Sequence, residues 1–87
     1  MIRLVSVSIA GDRALDLRFS DGSAGRWSAA EIIARDTVLT RPLTDRAYFG
    51  RAFIEAGALA WPNGLELSGP SLHRRMEEKG LLSRPAA

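Results

Sequence analysis

Few side chains in this sequence could do chemistry: one histidine, no cysteine, and ten carboxylates spread over 87 residues. A hydrolytic triad needs a nucleophile, a base and an orienting carboxylate. His73 is the single candidate base, and on a helix its neighbours are Gly69, Ser71, Arg74 and Glu77, with Glu77 one turn on and placed to accept its proton. That setting reads as a solvated histidine on a helix flank rather than a general base. Glu77 and Glu78 diverge by about 100° on a helix, so they share neither a proton nor a metal. Asp12, Asp16 and Asp21 miss the ligand spacing of a calcium loop, and Asp12 and Asp21 sit where turns favour aspartate. Gly64 and Gly69 have the spacing that opens a phosphate-binding loop, but Pro70-Ser71 follows where Lys-Ser/Thr is required. Without cysteine there is no disulfide, thiolate metal site or thiol nucleophile. The expectation is a chain with no catalytic residue, cofactor or metal.

Binding chemistry has more material. The pI of 9.9 suggests nucleic acid, but twelve basic against ten acidic residues leave a net charge of only +2. Eleven of the twelve are arginines, which hold their protons beyond about pH 12 and drag the pI upward. A nucleic-acid module would use Arg18, Arg26, Arg74 and Arg75 on one face, although duplex binding usually takes about 6 to 10 phosphate contacts. A partner protein would find Trp61-Pro62-Asn63 in the turn Trp61-Pro62-Asn63-Gly64, and Phe53, which points away from its apolar neighbours. The alternative for Trp61 is a place in the core, and the hairpin register favours it. A small-molecule pocket would lie between this turn and the last helix.

These residues are positioned by a chain of ordinary globular composition, 46% apolar and 25% charged, long enough for one domain over residues 1–82 and a loose tail over 83–87. Ile2 to Ile9 is a strand whose apolar phase slips from even to odd positions, which predicts a bulge near Leu4 or burial on both faces. Ala14 to Phe19 alternates cleanly. Ser20-Asp21-Gly22-Ser23 is a turn, and a loop one residue longer than Asp21-Gly22 pairs Leu17 with Trp27 and Phe19 with Gly25, keeping the indole on the apolar face. Ala56-Gly57 as a two-residue turn pairs Ile54 with Leu59. Three short helices follow from their caps: Ser28 to Glu31 as a capping box with Trp27 stapling Ile32, Thr44 capping a helix that Gly50 ends, and Ser68 or Gly69 opening a helix with Pro70 in its first turn, Leu72 and Met76 inward and Gly80 closing it. The predicted fold is α+β, an antiparallel meandering sheet of about five strands with two or three short helices on one face.

Phe19-Ser20-Asp21-Gly22, Pro42-Leu43-Thr44-Asp45 leading to Phe49, Trp61-Pro62-Asn63-Gly64 and the helix start from Leu67 to Leu72 together resemble the small bacterial domain-of-unknown-function family 2442, over nearly the whole chain. Glu66 stands where that family tends to carry Asp, and Ser68-Gly69-Pro70 replaces an acidic residue before proline. The resemblance implies a compact α+β fold with no established activity. It also implies an accessory or antitoxin-like role beside another protein, such as the product of a neighbouring gene; independently, an edge strand could pair two copies of the chain into a homodimer. Too few residues follow the last helix for a helix-turn-helix. The N-terminus reads as a strand rather than a signal peptide, and no segment approaches the ~18 apolar residues of a membrane span, so a cytoplasmic location is expected. A core position for Trp61 predicts that Trp61→Ala costs about 3 to 5 kcal/mol, whereas a surface anchor would cost under about 1 kcal/mol. A thermal melt unchanged by the substitution rules out the core position.

Overall fold

The slip of phase in the first strand is taken up by a bulge. In a computed structural model that describes residues 1–84, β1 (Leu4–Gly11) pairs antiparallel with β2 (Ala14–Phe19), and the register shifts by one residue between Leu4 and Ser6. Leu4 therefore stays buried opposite Phe19 while Val5 is pushed to the surface. In β2, Leu15, Leu17 and Phe19 face the core and Arg18 faces out, as period-two alternation requires.

The turn between β2 and β3 (Ala24–Ser28) has the expected length but sits one residue earlier. Leu15 pairs with Trp27 and Leu17 with Gly25, correcting the expected pairing of Leu17 with Trp27. The loop is Ser20-Asp21-Gly22, closed by Phe19 N–H to Ser23 C=O at 2.8 Å, with Gly22 at φ 87°. A three-residue hairpin loop needs its last residue in the left-handed region, so the glycine fixes the frame. Trp27 keeps its face because the shift is by an even number of residues.

Two helices start later than their apparent caps. Ser28 still belongs to β3, and Ala29 N–H bonds Arg13 C=O at 2.8 Å, so the chain stays extended until α1 (Ala30–Ala34). The Ser28 hydroxyl accepts from Ala30 N–H at 3.2 Å, but Glu31 reaches across to Lys79 Nζ at 2.7 Å instead of back to Ser28, so no capping box forms. Thr44 already lies in a 3₁₀ turn over Arg41–Thr44 and donates to Arg41 C=O, leaving Asp45 to cap α2 (Arg46–Phe49) by accepting from Ala47 N–H at 2.9 Å. Gly50 ends this single turn as expected.

The next hairpin has the predicted register, with Ile54 of β4 (Phe53–Glu55) opposite Leu59 of β5 (Ala58–Ala60). Both turn residues, Ala56 at φ 50° and Gly57 at φ 82°, are left-handed, the backbone of a type I′ turn. A two-residue strand that the sequence did not announce, β6 (Glu66–Leu67), completes a second sheet. The expected meander of about five strands is thus replaced by two three-stranded antiparallel sheets, β1-β2-β3 and β4-β5-β6. Among the described residues one backbone hydrogen bond links them, Leu4 N–H to Gly57 C=O at 2.8 Å. Helix α3 (Gly69–Glu78) has Ser68 as its cap and Pro70 in its first turn. Beyond it, Gly80 N–H bonds Glu77 C=O and Leu81 N–H bonds Met76 C=O, a Schellman ending with Gly80 at φ 70°.

One apolar cluster joins both sheets and α3, including Leu15, Leu17, Phe19, Trp27, Leu59 and Trp61, with Ile54 packed against it. Of the expected loose tail, Ser83 pairs with Ala24 through two backbone bonds at 2.9 Å and Arg84 makes ion pairs, because α3 delivers them to the edge of β3; the remainder, 85–87, lies outside the described residues. No described helix is long and apolar enough to cross a membrane.

Where the chain returns from α3 it passes directly over Gly25: a Cβ there would collide with the Leu81 carbonyl oxygen and lie 3.2 Å from Met76 Cε. Backbone cannot yield as a flexible side chain does, so Gly25→Ala is expected to cost about 1 to 3 kcal/mol. Gly50→Ala, with right-handed φ and nothing closer than 3.5 Å, is the control and should be neutral or slightly stabilising. Equal melting temperatures for the two variants would mean that the crossing over β3 is not as close as described.

Candidate functional site

His73 is not solvated. It is 8% exposed, on the same side of α3 as Leu72 and Met76. Its ring meets Phe19 edge-on at 5.1 Å between centroids. Its partner is not Glu77 but Asp21, in the β2–β3 turn 52 residues away, with Nε2 and Oδ2 at 2.9 Å. Asp21 also takes Ser23 N–H at 2.9 Å and the Ser23 hydroxyl at 2.6 Å on its other oxygen, and Arg84 Nη2 approaches Oδ2 at 3.3 Å. The same Arg84 nitrogen also reaches Glu77 Oε2, again at 3.3 Å.

Serine, aspartate and histidine are thus together, but in the wrong order for nucleophilic catalysis. A triad places histidine between hydroxyl and carboxylate so that the ring can take the hydroxyl proton. Here the carboxylate is in the middle and the Ser23 hydroxyl donates to it, with Ser23 itself fully buried. Asp21 keeps about a fifth of its side-chain exposure (21%). The two Ser23 bonds lead in holding its carboxyl far below the ordinary value of 3.8, at about 2, with His73 contributing less and partial burial opposing. An ionised carboxylate with this many donors is an anchor: it ties the turn to α3 and to the chain beyond it.

The second turn singled out in the sequence repeats the first. Phe19-Ser20-Asp21-Gly22-Ser23 and Trp61-Pro62-Asn63-Gly64-Leu65 share three bonds. The first residue's N–H donates to the fifth's C=O, the glycine N–H donates to the first's C=O, and the fifth's N–H donates to the Asx side chain. Trp61 is core, 1% exposed, its Nε1–H donating to Phe49 C=O at 3.0 Å, so it is not a surface anchor. Pro62 and Asn63 are exposed. Asn63 Nδ2 donates to Leu39 C=O at 3.1 Å, and its N–H bonds the Tyr48 hydroxyl at 3.0 Å.

That contact leads to the segment between α1 and the 3₁₀ turn. Thr37-Val38-Leu39-Thr40 is a turn closed by Thr40 N–H to Thr37 C=O at 3.2 Å and braced by the two threonine hydroxyls at 3.0 Å from each other. Its tip residues, Val38 and Leu39, are 77% and 41% exposed. Turn tips ordinarily carry glycine, asparagine, aspartate or serine, so two adjacent aliphatics at a tip between two threonines were a legible signal. Phe53 is also exposed and lies separately on β4.

The four arginines proposed for nucleic acid are not brought to one face. Arg18 and Arg26 project from the outer face of the first sheet, where Arg26 holds Asp16 through two bonds of 2.9 and 3.3 Å. Arg74 and Arg75 belong to α3, which packs on the inner face of that sheet through His73 and Met76. The described residues contain no cluster of three or more histidine and carboxylate groups that could hold a metal ion. Compared with models of known protein families, with curated proteins and with solved structures, the chain matches none.

Asp21 sets a pH dependence whose sign follows from its lowered folded value. The carboxylate contributes stability that is fully present above its ordinary 3.8 and is lost as pH falls toward about 2. Asp21→Asn should therefore lower the melting temperature at pH 5, and the gap to wild type should close between about pH 4 and pH 2. Other carboxylates titrate in both proteins and cancel in the difference. A gap independent of pH through that window is incompatible with an ionised anchor.

Proposed function

We propose that this chain is a noncatalytic interaction domain, an accessory or antitoxin-like module of the cytoplasm, that binds another protein through the Thr37–Thr40 turn. The observation that carries the reading is the pair of exposed aliphatics, Val38 and Leu39, on a loop that is already rigid. Burying one such side chain against a partner is worth roughly 1.5 to 3 kcal/mol. The threonine braces and the Asn63 bond order the turn before binding, which reduces the entropic cost of association. Asn63 bonds this tip and Pro62 precedes it in the same exposed turn, so two of the residues first considered for a partner adjoin it. The resemblance to family 2442 supports the reading, since it runs through both Asx-glycine turns and implies a role beside another protein.

The test replaces the tip alone. The double variant Val38→Ser/Leu39→Ser changes exposed side chains only and should alter stability by no more than about 0.5 kcal/mol. Wild-type chain used as bait in an extract of its native host should retain a protein that the double variant loses. Reconstitution from the two purified components should reproduce the difference. Equal retention of that protein by wild type and variant removes the turn as the binding surface.

A further inference from the structure

Away from that turn, a cavity of about 180 Å³ opens between α1 and α3 on a floor of Trp27, Ile32 and Leu72. Arg35, which follows α1, and Arg75 of α3 stand on its rim with Ser71 and Glu66. Arg26, Arg41, Arg46 and Arg84 each hold a carboxylate, but among the described residues Arg35 and Arg75 make no ion pair. The nearby acid Glu31 is taken by Lys79 at 2.7 Å. Its carboxyl is held below the ordinary range by Lys79 first, with smaller contributions from Arg75 and Arg35. Ser68 caps α3 by accepting from Ser71 N–H at 3.2 Å, whereas the Ser71 hydroxyl has no partner among the described residues.

We propose that this cavity binds a small apolar carboxylate, its apolar body on Trp27 and Leu72 and its carboxylate held by Arg35 and Arg75. Two unused guanidinium forks beside an apolar floor suit a planar anion with a hydrophobic body. The volume is below the ~300 to 1,000 Å³ of sites for drug-sized ligands, so it suits an acid the size of an acylated amino acid and not a nucleotide cofactor. Glu66 opposes a second negative charge on the ligand and can accept an amide N–H from it. The chemistry is that of the free carboxyl end of a peptide, or of a free branched-chain acid, with one negative charge.

The two tryptophans make the site self-reporting. Trp27 lines the cavity and Trp61 does not. In a titration with N-acetyl-leucine followed by NMR, the indole N–H signal of Trp27 should shift with a dissociation constant on the order of 1 mM, while that of Trp61 stays in place. N-acetyl-leucinamide, which lacks the charge, and the Arg75→Gln variant should each bind at least about tenfold more weakly. Arg75 is exposed and unpaired, so the variant should melt with wild type. An acetylated tripeptide ending in leucine and 4-methylpentanoate separate the two sources: tighter binding of the peptide assigns the cavity to chain ends, tighter binding of the simple acid to free acids. A Trp27 signal unmoved by about 20 mM acid, or amide and acid binding equally, overturns the proposal.

Discussion

The two sheets are held in one molecule by the indole of Trp61. Their single shared backbone bond, Leu4 to Gly57, lies at one corner, so the rest of the seam depends on side chains. Trp61 lies 6.4 Å from Trp27 of the first sheet and 5.9 Å from Phe49 of α2, ring centroid to centroid. An indole buried to this degree needs a partner for its N–H. It finds one in the Phe49 carbonyl at the end of α2, which accepts the indole N–H at 3.0 Å beside a longer bond from Ala52 N–H at 3.3 Å. One side chain thus fills the seam and ties it to the end of α2. A phenylalanine, smaller by a fused ring, would leave a void as well as depriving the carbonyl of that bond.

Around this column the backbone comes unusually close to itself, and glycine is required at two of the crossings. At Gly25 the chain leaving α3 runs over β3. At Gly69 the start of α3 presses on the β4–β5 turn, where a Cβ would lie 2.6 Å from Gly57 C=O and 3.1 Å from Leu4 N. The second crossing sits on the corner where the sheets are joined. Side chains supply the adhesion, and the absence of side chains at these points lets the layers approach.

Legibility in the sequence follows the range of each constraint. Alternation in β2, the Ala56-Gly57 turn with its Ile54–Leu59 pairing, and both ends of α3 are set by neighbouring residues, and all are as read. The helix caps failed where a longer-range contact had a prior claim: Ser28 is held by Ala14, and Glu31 is drawn away by Lys79. The β2–β3 register was misplaced because burial of Trp27 is compatible with two even-spaced registers, and only the need for a left-handed third loop residue at Gly22 separates them. The setting of His73 is hidden in the sequence for the same reason on a larger scale. Leu72 and Met76 beside it mark the buried side of α3, but nothing within a turn of it indicates that Phe19 and Asp21 arrive there from the β2–β3 hairpin, Asp21 from 52 residues away.

The paired Asx-glycine turns show why the polar groups that looked functional in the sequence are absorbed by the structure. Both turns have the same backbone bonds and differ in the identity of the Asx residue, and the difference matches what each side chain faces. Asp21 meets donors only, from Ser23, His73 and Arg84, so a carboxylate satisfies all of them. Asn63 meets an acceptor, the Leu39 carbonyl, while its own oxygen takes Leu65 N–H, so it needs one donor and one acceptor, and only an amide supplies both. Aspartate at 63 would set oxygen against oxygen, and asparagine at 21 would set an amino group against donors. With every buried side-chain polar atom among the described residues partnered in this way, the fold leaves surplus binding capacity where satisfaction is incomplete. Two such places are the exposed aliphatics at the Thr37–Thr40 tip and, above Trp27, Arg35 and Arg75, which make no ion pair among the described residues. Neither belongs to the motifs that first drew notice, because those motifs are occupied in building the turns that hold the surfaces in place.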